Sequence, residues 1–307
     1  MLFPKSNWFG LLLVIIGSVM LAAKGLFAKH LYGMGIDFET VVAVRTVIAV
    51  PGFFLIALAE RSYIPSPQIN IFDYAQAALA GLTCYYFGSF VNFYALTLID
   101  ASLERVLLYS YPAMVVLLSA LIGAIRIDIP ILFASVVTYC GIAIAVGAGD
   151  AGLWMKNSEG ALWVLTCSLT IAIYFLFSAR LTKKMGSGRF TFVAMCAAGM
   201  AYAVHYEFRF GWNSLSLNSE AWSILIIMIV FVTVLPLYLV AEGVRRIGAS
   251  RAAIASAIGP PATAVMAVLV QDEILTMSQV VGMIMVIAAI LWLELRQENS
   301  KIGRQLQ

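Results

Sequence analysis

The sequence predicts an all-α polytopic membrane protein, with ten transmembrane helices arranged as two inverted five-helix repeats. Three observations carry that expectation. Of the 307 residues, 62% are hydrophobic and 11% charged, where a soluble domain carries about 25% charged residues. No soluble core of this size could hide so much apolar surface. Apolar runs of about 20 residues, the length a helix needs to cross a bilayer, recur along the chain with short connections between them. One stretch also has an echo: Ala101-Ser102 leads into a long uncharged run containing Pro112, and 148 positions later Ala249-Ser250 leads into another containing Pro260. An internal repeat of this kind means one plan used twice.

Taken in order, the first helix is expected from Trp8 to about Tyr32 and the second from about Val41 to Ala59. The third lies within Tyr74–Ile99, the fourth spans about Ser102–Ile125 and the fifth Ile129–Gly149. The second set follows as Gly160–Ala179, Arg189–Tyr206, Ala221–Ala241, Ser250–Gln271 and Ile274–Leu293. Lys5 followed by Trp8–Ala23 imitates a signal peptide, but removing it would delete the first helix of the first repeat. The expected repeats are 8–149 and 160–293. Basic residues set the orientation. Arg61, Arg126, Arg180, Lys183, Lys184, Arg189, Arg245, Arg246, Arg251 and Arg296 share a side with the N-terminus, which is therefore placed inside, with both termini cytoplasmic. Five helices per repeat make the two repeats antiparallel, the architecture of many secondary transporters.

Several classes are disfavoured. There is no GxxxxGK phosphate loop, HExxH or GxSxG, and no paired acid or activated nucleophile in the helices, so no enzymatic activity, cofactor, metal or catalytic residue is expected. Cys84, Cys140, Cys167 and Cys196 lie in apolar runs without metal-ligand spacing. A net charge of +3 with no basic tail gives no reason to expect a nucleic-acid partner.

The candidate substrate-binding residues are polar groups inside apolar helices. Lys24 stands about 24 Å along the first helix from Trp8, and an intramembrane charge is a functional-site hypothesis by default. Snorkelling and a structural ion pair are the alternatives. Arg105, near the start of the fourth helix, either guides an anionic group or anchors at the interface. Its neighbour Glu104 suits the positive helix end. Arg45 raises the same question, with Asp37 or Glu39 as expected partners. Tyr85, Ser89 and Asn92 share one face of the third helix at i, i+4, i+7 spacing. Trp163, Thr170 and Tyr174 form a similar line on the sixth. Tyr109 beside Pro112, and Tyr238 beside Pro236, complete a set able to line a cavity of rings, hydroxyls and one amide, or else to pack helix on helix. His205 with Glu207 is a weaker proton-relay candidate, since residues two apart do not face each other. Pro112 and Pro260-Pro261 should interrupt the fourth and ninth helices.

These features resemble the drug/metabolite transporter superfamily, specifically its EamA-type family. The resemblance rests on Arg45, Ala95-Leu96, Ala101-Ser102, Pro112 and the run Leu117–Gly123. Ala249-Ser250, Pro260 and Val268–Glu273 carry it in the second half, so it covers nearly the whole chain. It implies two EamA-like repeats, alternating access, and a central cavity formed by the first, third, fourth, sixth, eighth and ninth helices. It also implies substrates such as amino acids, nucleoside-like metabolites, amphipathic compounds or drugs. Two departures stand out. The family usually ends its first motif with Gly-Glu, whereas Ile125 here aligns with Glu273; and Lys24 is not a general family feature, which favours an anionic or zwitterionic substrate. The expectation is a multi-pass inner-membrane exporter of a small organic metabolite, working by alternating access. Uptake or exchange, or a non-transporting receptor or scaffold, are the alternatives. Expected partners are the metabolite and membrane lipid, with proton coupling and a homodimer left open.

Overall fold

The structure, a computed structural model, describes residues 7–61, 69–121, 129–146, 149–247, 255–256 and 258–305. Among these there is no strand. The helices are α1 (Asn7–Ala22), α2 (Lys24–Gly33), α3 (Phe38–Arg61), α4 (Ile71–Gly81), α5 (Ser89–Leu98), α6 (Ala101–Leu108), α7 (Tyr111–Leu121), α8 (Ile129–Val146), α9 (Ala151–Met185), α10 (Ser187–Arg209), α11 (Ser219–Ile229), α12 (Leu235–Ile247), α13 (Gly259–Gln271) and α14 (Met277–Gln305). Helix covers most of the described part of every expected apolar segment. Among the described residues, four helical stretches are long and apolar enough to cross a membrane: Trp8–Gly33, Phe38–Glu60, Ala151–Thr182 and Ser219–Val240. The protein is inside-out in polarity. Leu12, Ile16 and Val19 of α1, and Leu132, Phe133 and Val136 of α8, lie exposed, while Lys24, Arg45, Glu104 and Arg105 lie inside. That distribution suits a lipid surround.

Local chemistry explains where the elements differ from expectation. The sixth apolar segment begins at Ala151 rather than Gly160 because the Asp150 carboxylate accepts from the Gly152 and Leu153 amides at 2.9 and 3.0 Å, an N-cap. The tenth begins at Met277 rather than Ile274. Asp272 takes a left-handed conformation (φ 52°) that ends α13. Thr276 and Gln279 then exchange side-chain and backbone hydrogen bonds, a reciprocal capping pair. The expected features at Gly123, Ile125, Arg126 and 249–251 lie outside the described residues.

The long segments are interrupted at matched places. A π-helical stretch, Leu82–Gly88, separates α4 from α5, and another, Val230–Val234, separates α11 from α12. Their starts are 148 positions apart, the offset of the sequence echo. The starts of α7 at Tyr111 and α13 at Gly259 stand at the same offset. Each wide turn frees backbone groups that side chains take up. Tyr202 donates to the Tyr86 carbonyl at 2.8 Å, and Thr233 to the Met228 carbonyl at 3.2 Å. Pro236, just past the second π stretch, has no amide proton to give the preceding turn.

Glycines set two of the closest crossings. A Cβ at Gly81 would overlap the Ala194 backbone, joining α4 to α10, and one at Gly282 would overlap the Gly141 carbonyl, joining α14 to α8. Small residues allow such approach between membrane helices. The helices thus present two faces, named here for Gly35 at one end and Glu60 at the other.

At the Glu60 face, Lys184 of α9 binds the Asp73 carboxylate at 2.6 Å. The Lys184 hydrogen bond, with the Asn70 amide second, holds the Asp73 carboxyl below the usual carboxylate range. A lowered folded pKa contributes stability above the unfolded pKa, lost as pH falls through the folded value. The Asp73→Asn variant should therefore melt lower than wild type at neutral pH. The difference should shrink as pH falls below about 4, which thermal unfolding in detergent at a series of pH values would measure.

Candidate functional site

The site is built around a break in the first apolar segment. Between α1 and α2 the chain turns at Ala23. The carbonyls exposed near that turn are taken by α13, from the other half of the chain. Thr263 Oγ1 donates to the Ala22 carbonyl at 3.0 Å, and Gln271 Nε2 to the Leu26 carbonyl at 2.9 Å. The first residue after the break is Lys24. Its side chain is 15% exposed and makes an ion pair with Glu104 at 3.1 Å. The ammonium also donates to Asn92 Oδ1, and Asn92 Nδ2 donates to Glu104 Oε1 at 2.6 Å. Lys24 therefore does not snorkel. The Glu104 side chain is 1% exposed and serves as a buried counter-ion rather than as a solvated charge at the helix end.

At an effective dielectric near 20, opposite charges at this distance attract by about 5 kcal/mol. Burying the two ions costs several kcal/mol each. The pair is therefore close to neutral for stability, and the extra bonds through Asn92 fix its geometry. Taking away one member is another matter, because it strands the other in the interior.

Arg105 comes next on α6 and is 7% exposed. It turns away from the pair toward the start of α13. A Cβ on Gly259 would lie 3.1 Å from Arg105 Nη2, so the guanidinium packs closely against the glycine backbone there. The guanidinium lies 5.3 Å from the Tyr109 ring centre, and the Tyr109 hydroxyl donates to the Ser256 carbonyl. Arg105 Nε is buried without a hydrogen-bond partner among the described residues. Arg45 of α3 is similar. It is 8% exposed, donates to Thr233 at 3.2 Å, lies 4.9 Å from the Phe93 ring centre, and has an unpartnered Nε. A cation–π contact is worth about 0.5–2 kcal/mol and a neutral hydrogen bond about 1 kcal/mol. Neither offsets the several kcal/mol that a buried unpaired charge costs.

The expected acid partners of Arg45 are committed elsewhere. Asp37 accepts from the Thr40 amide and hydroxyl at 2.8 and 2.6 Å, capping α3. Glu39 faces His205 at 3.7 Å and Arg209 at 4.0 Å. His205 also contacts the Tyr86 hydroxyl at 3.0 Å, while Glu207 accepts from the Trp212 amide at 2.9 Å. The His205–Glu207 relay is thus replaced by a Tyr86–His205–Glu39 row.

The structure joins Lys24 and Asn92 through Glu104, sets Arg105 against Tyr109 at the start of α13, and disperses the other candidates. Because the π stretch re-registers the third segment, Tyr85 turns to α9, donating to Tyr174 at 2.9 Å, while Asn92 turns to Lys24. Thr170 spends its hydroxyl on the Cys167 carbonyl at 2.7 Å and packs against Gly88. Trp163 meets Tyr94 edge-on at 5.9 Å. This line on α9 is the seam between the third and sixth segments. Ser89 is half-buried. Tyr238 lies apart, in a small open cleft with Phe53, Glu60, Thr191 and Glu242. Two roles went unread in the sequence. Glu104 needed a partner 80 positions away. Glu273 accepts from the Ala101 and Ser102 amides at 2.9 and 3.4 Å and from Ser102 Oγ at 2.6 Å, a charged N-cap supplied across the repeats.

The sequence profile of the EamA-like transporter family matches residues 8–147 and again 158–295. The uncharacterized transporter YcbK of Bacillus subtilis (strain 168) is 32% identical over 89% of this chain and 88% of its own length. An uncharacterized transporter of Archaeoglobus fulgidus is 26% identical over 69% of this chain and 74% of its own. A crystal structure of a protein at 14% identity superposes with a TM-score of 0.64, covering 97% of this chain and 98% of the other.

The ion pair and the cross-repeat cap give separate stability expectations. Lys24→Met or Glu104→Gln alone should destabilise by roughly 3–5 kcal/mol. The double variant should cost clearly less than their sum, as a double-mutant cycle of unfolding in detergent would record. Glu273→Ala should cost roughly 1–3 kcal/mol through loss of charge-assisted bonds to α6, read as a lowered melting temperature.

Proposed function

Starting from the fact that this chain belongs to the EamA-like transporter family and is a multi-pass membrane transporter, we propose that it is a secondary active exporter of a small organic metabolite, such as an amino acid or an amphipathic or anionic compound. In this reading the chain crosses the membrane ten times as two inverted repeats. The Gly35 face lies outside and both termini lie in the cytoplasm. Matched interruptions at Leu82 and Val230, and at Tyr111 and Gly259, support the repeats. The cap that Glu273 places on α6 supports their inversion, because it joins the end of the ninth segment to the start of the fourth. Substrate binds among α2, α5, α6 and the start of α13, between the two repeats, as in other inverted-repeat transporters.

One observation carries the assignment of the site: Arg105 is buried, has an unpartnered Nε, and faces the broken ninth segment at Gly259. A guanidinium offers a planar fork to a carboxylate or phosphate. Breaks in the fourth and ninth segments supply places where the helices can bend as the site opens alternately to the two sides. Lys24, held by Glu104 and Asn92, stands on α2 beside α13 and is free to exchange partners when an anion arrives.

The test is flux of labelled metabolites into sealed inside-out vesicles at two pH values. Saturable flux of at least one organic acid or amino acid is expected, and Arg105→Gln should lower its kcat/KM by roughly 30-fold or more. Lys24→Ala should change rate or selectivity. A pH-dependent gradient requirement would assign the proton as coupling ion. Absence of saturable flux across a broad panel would overturn the transport reading.

A further inference from the structure

Away from the two faces, the described interior holds four buried charges that form a belt. Counted along their helices from the Gly35 face, Arg45, Lys24 and Arg105 lie within roughly 6–14 Å of the helix ends. The Phe93 ring links two of them, with the Arg45 guanidinium 4.9 Å and the Lys24 ammonium 5.8 Å from its centre. Lys24 then meets Glu104, and Arg105 follows on the same helix, turned to Tyr109 and Gly259.

The belt does not balance. Lys24 and Glu104 cancel, leaving two guanidinium charges, each with a buried Nε that has no hydrogen-bond partner among the described residues. Among the described residues, no acid nearer the Gly35 face forms an ion pair with either guanidinium. Asp37 caps α3, Glu39 faces His205 and Arg209, Asp100 pairs with Lys29 at 3.4 Å, and Glu273 caps α6. Arginine cannot shed its proton to escape burial, so the surplus calls for a counter-ion that comes and goes.

We infer that the ligand is a small organic acid carrying two separated anionic groups, one meeting Arg105 at the start of α13 and the other meeting Arg45. Its carbon body bridges the two guanidiniums, passing Phe93 at the Arg45 end and Tyr109 at the Arg105 end. A zwitterion would bring an ammonium into a site already in cationic excess, and a monoanion would leave one guanidinium unmatched. This inference rests on the transport reading and names the cargo of that site.

The test uses purified full-length protein in detergent at fixed ionic strength, with matched small probes: succinate, glutarate and adipate as dianions, butyrate as monoanion and 4-aminobutyrate as zwitterion. At least one dianion should raise the melting temperature saturably and bind more tightly than butyrate, with 4-aminobutyrate weakest. Arg45→Gln and Arg105→Gln should each weaken dianion binding by roughly 30-fold. Arg45→Lys and Arg105→Lys should recover part of it, and they report on the site if the Gln variants do not fold. A dianion no better than butyrate, a zwitterion that binds equally well, or an Arg45→Gln variant with unchanged dianion affinity overturns the inference. Binding without flux in sealed vesicles would leave the ligand class standing and sink the transport reading; saturable flux of zwitterions alone would do the reverse.

Discussion

The arrangement depends on the contact among Lys24, Glu104 and Asn92. An ammonium and a carboxylate in an apolar interior hold each other in place, since neither could stay there ionised alone. The contact joins three helices at one point. Helix α2 is thereby kept against α5 and α6, and the kink at Ala23 is kept where Thr263 and Gln271 can bond to its carbonyls. Arg105 inherits its position from the same contact. With Glu104 turned toward Lys24, the next side chain of the helix faces α13.

The fold was legible because its causes are local. Apolar length marks a membrane helix, and Pro112 and Pro260 mark a break; the cap at Asp150, which starts the sixth segment nine residues before the expected Gly160, went unread. The site was only partly legible because its causes are pairings across the chain. Lys24, Arg105, Asn92 and Tyr109 stood out as polar groups in apolar runs; the structure sets Lys24 with Asn92 and Arg105 with Tyr109. Glu104 could be read as an ordinary first-turn acid, and nothing near it in sequence pointed to Lys24. Tyr85, Ser89 and Asn92 fit one face at α-helical spacing, but a π stretch begins at Leu82 and turns Tyr85 and Asn92 toward different neighbours. The polar line on α9 was real, but its work is packing against the third segment.

The two halves share their irregularities but not their charges. The π stretches and helix restarts recur 148 positions apart. Yet at that offset Lys24 meets Ala172, Asn92 meets Val240, and Glu104 and Arg105 meet Ala252 and Ala253. The kink at Ala23 has no counterpart either, because Ile171 lies inside the unbroken α9. One half supplies the ionic groups. The other supplies side-chain hydrogen bonds, from Thr263 and Gln271 of α13 and from Glu273 just beyond it. Division of labour between copies of one unit leaves its mechanical breaks paired while its chemistry becomes single.

The belt's depth has an electrical meaning. Lys24 stands nine residues from the end of α2 at Gly33 and seventeen from the start of α1 at Asn7, about 14 Å against 26 Å of helix. The belt therefore lies nearer the Gly35 face than the Glu60 face. An anion approaching from the Glu60 face crosses about two-thirds of the membrane's field before meeting its counter-charges, and one approaching from the Gly35 face crosses about a third. At about 2.3 kcal/mol per elementary charge per 100 mV, a voltage would weigh about twice as heavily on an anion reaching this depth from the Glu60 face as on one reaching it from the Gly35 face.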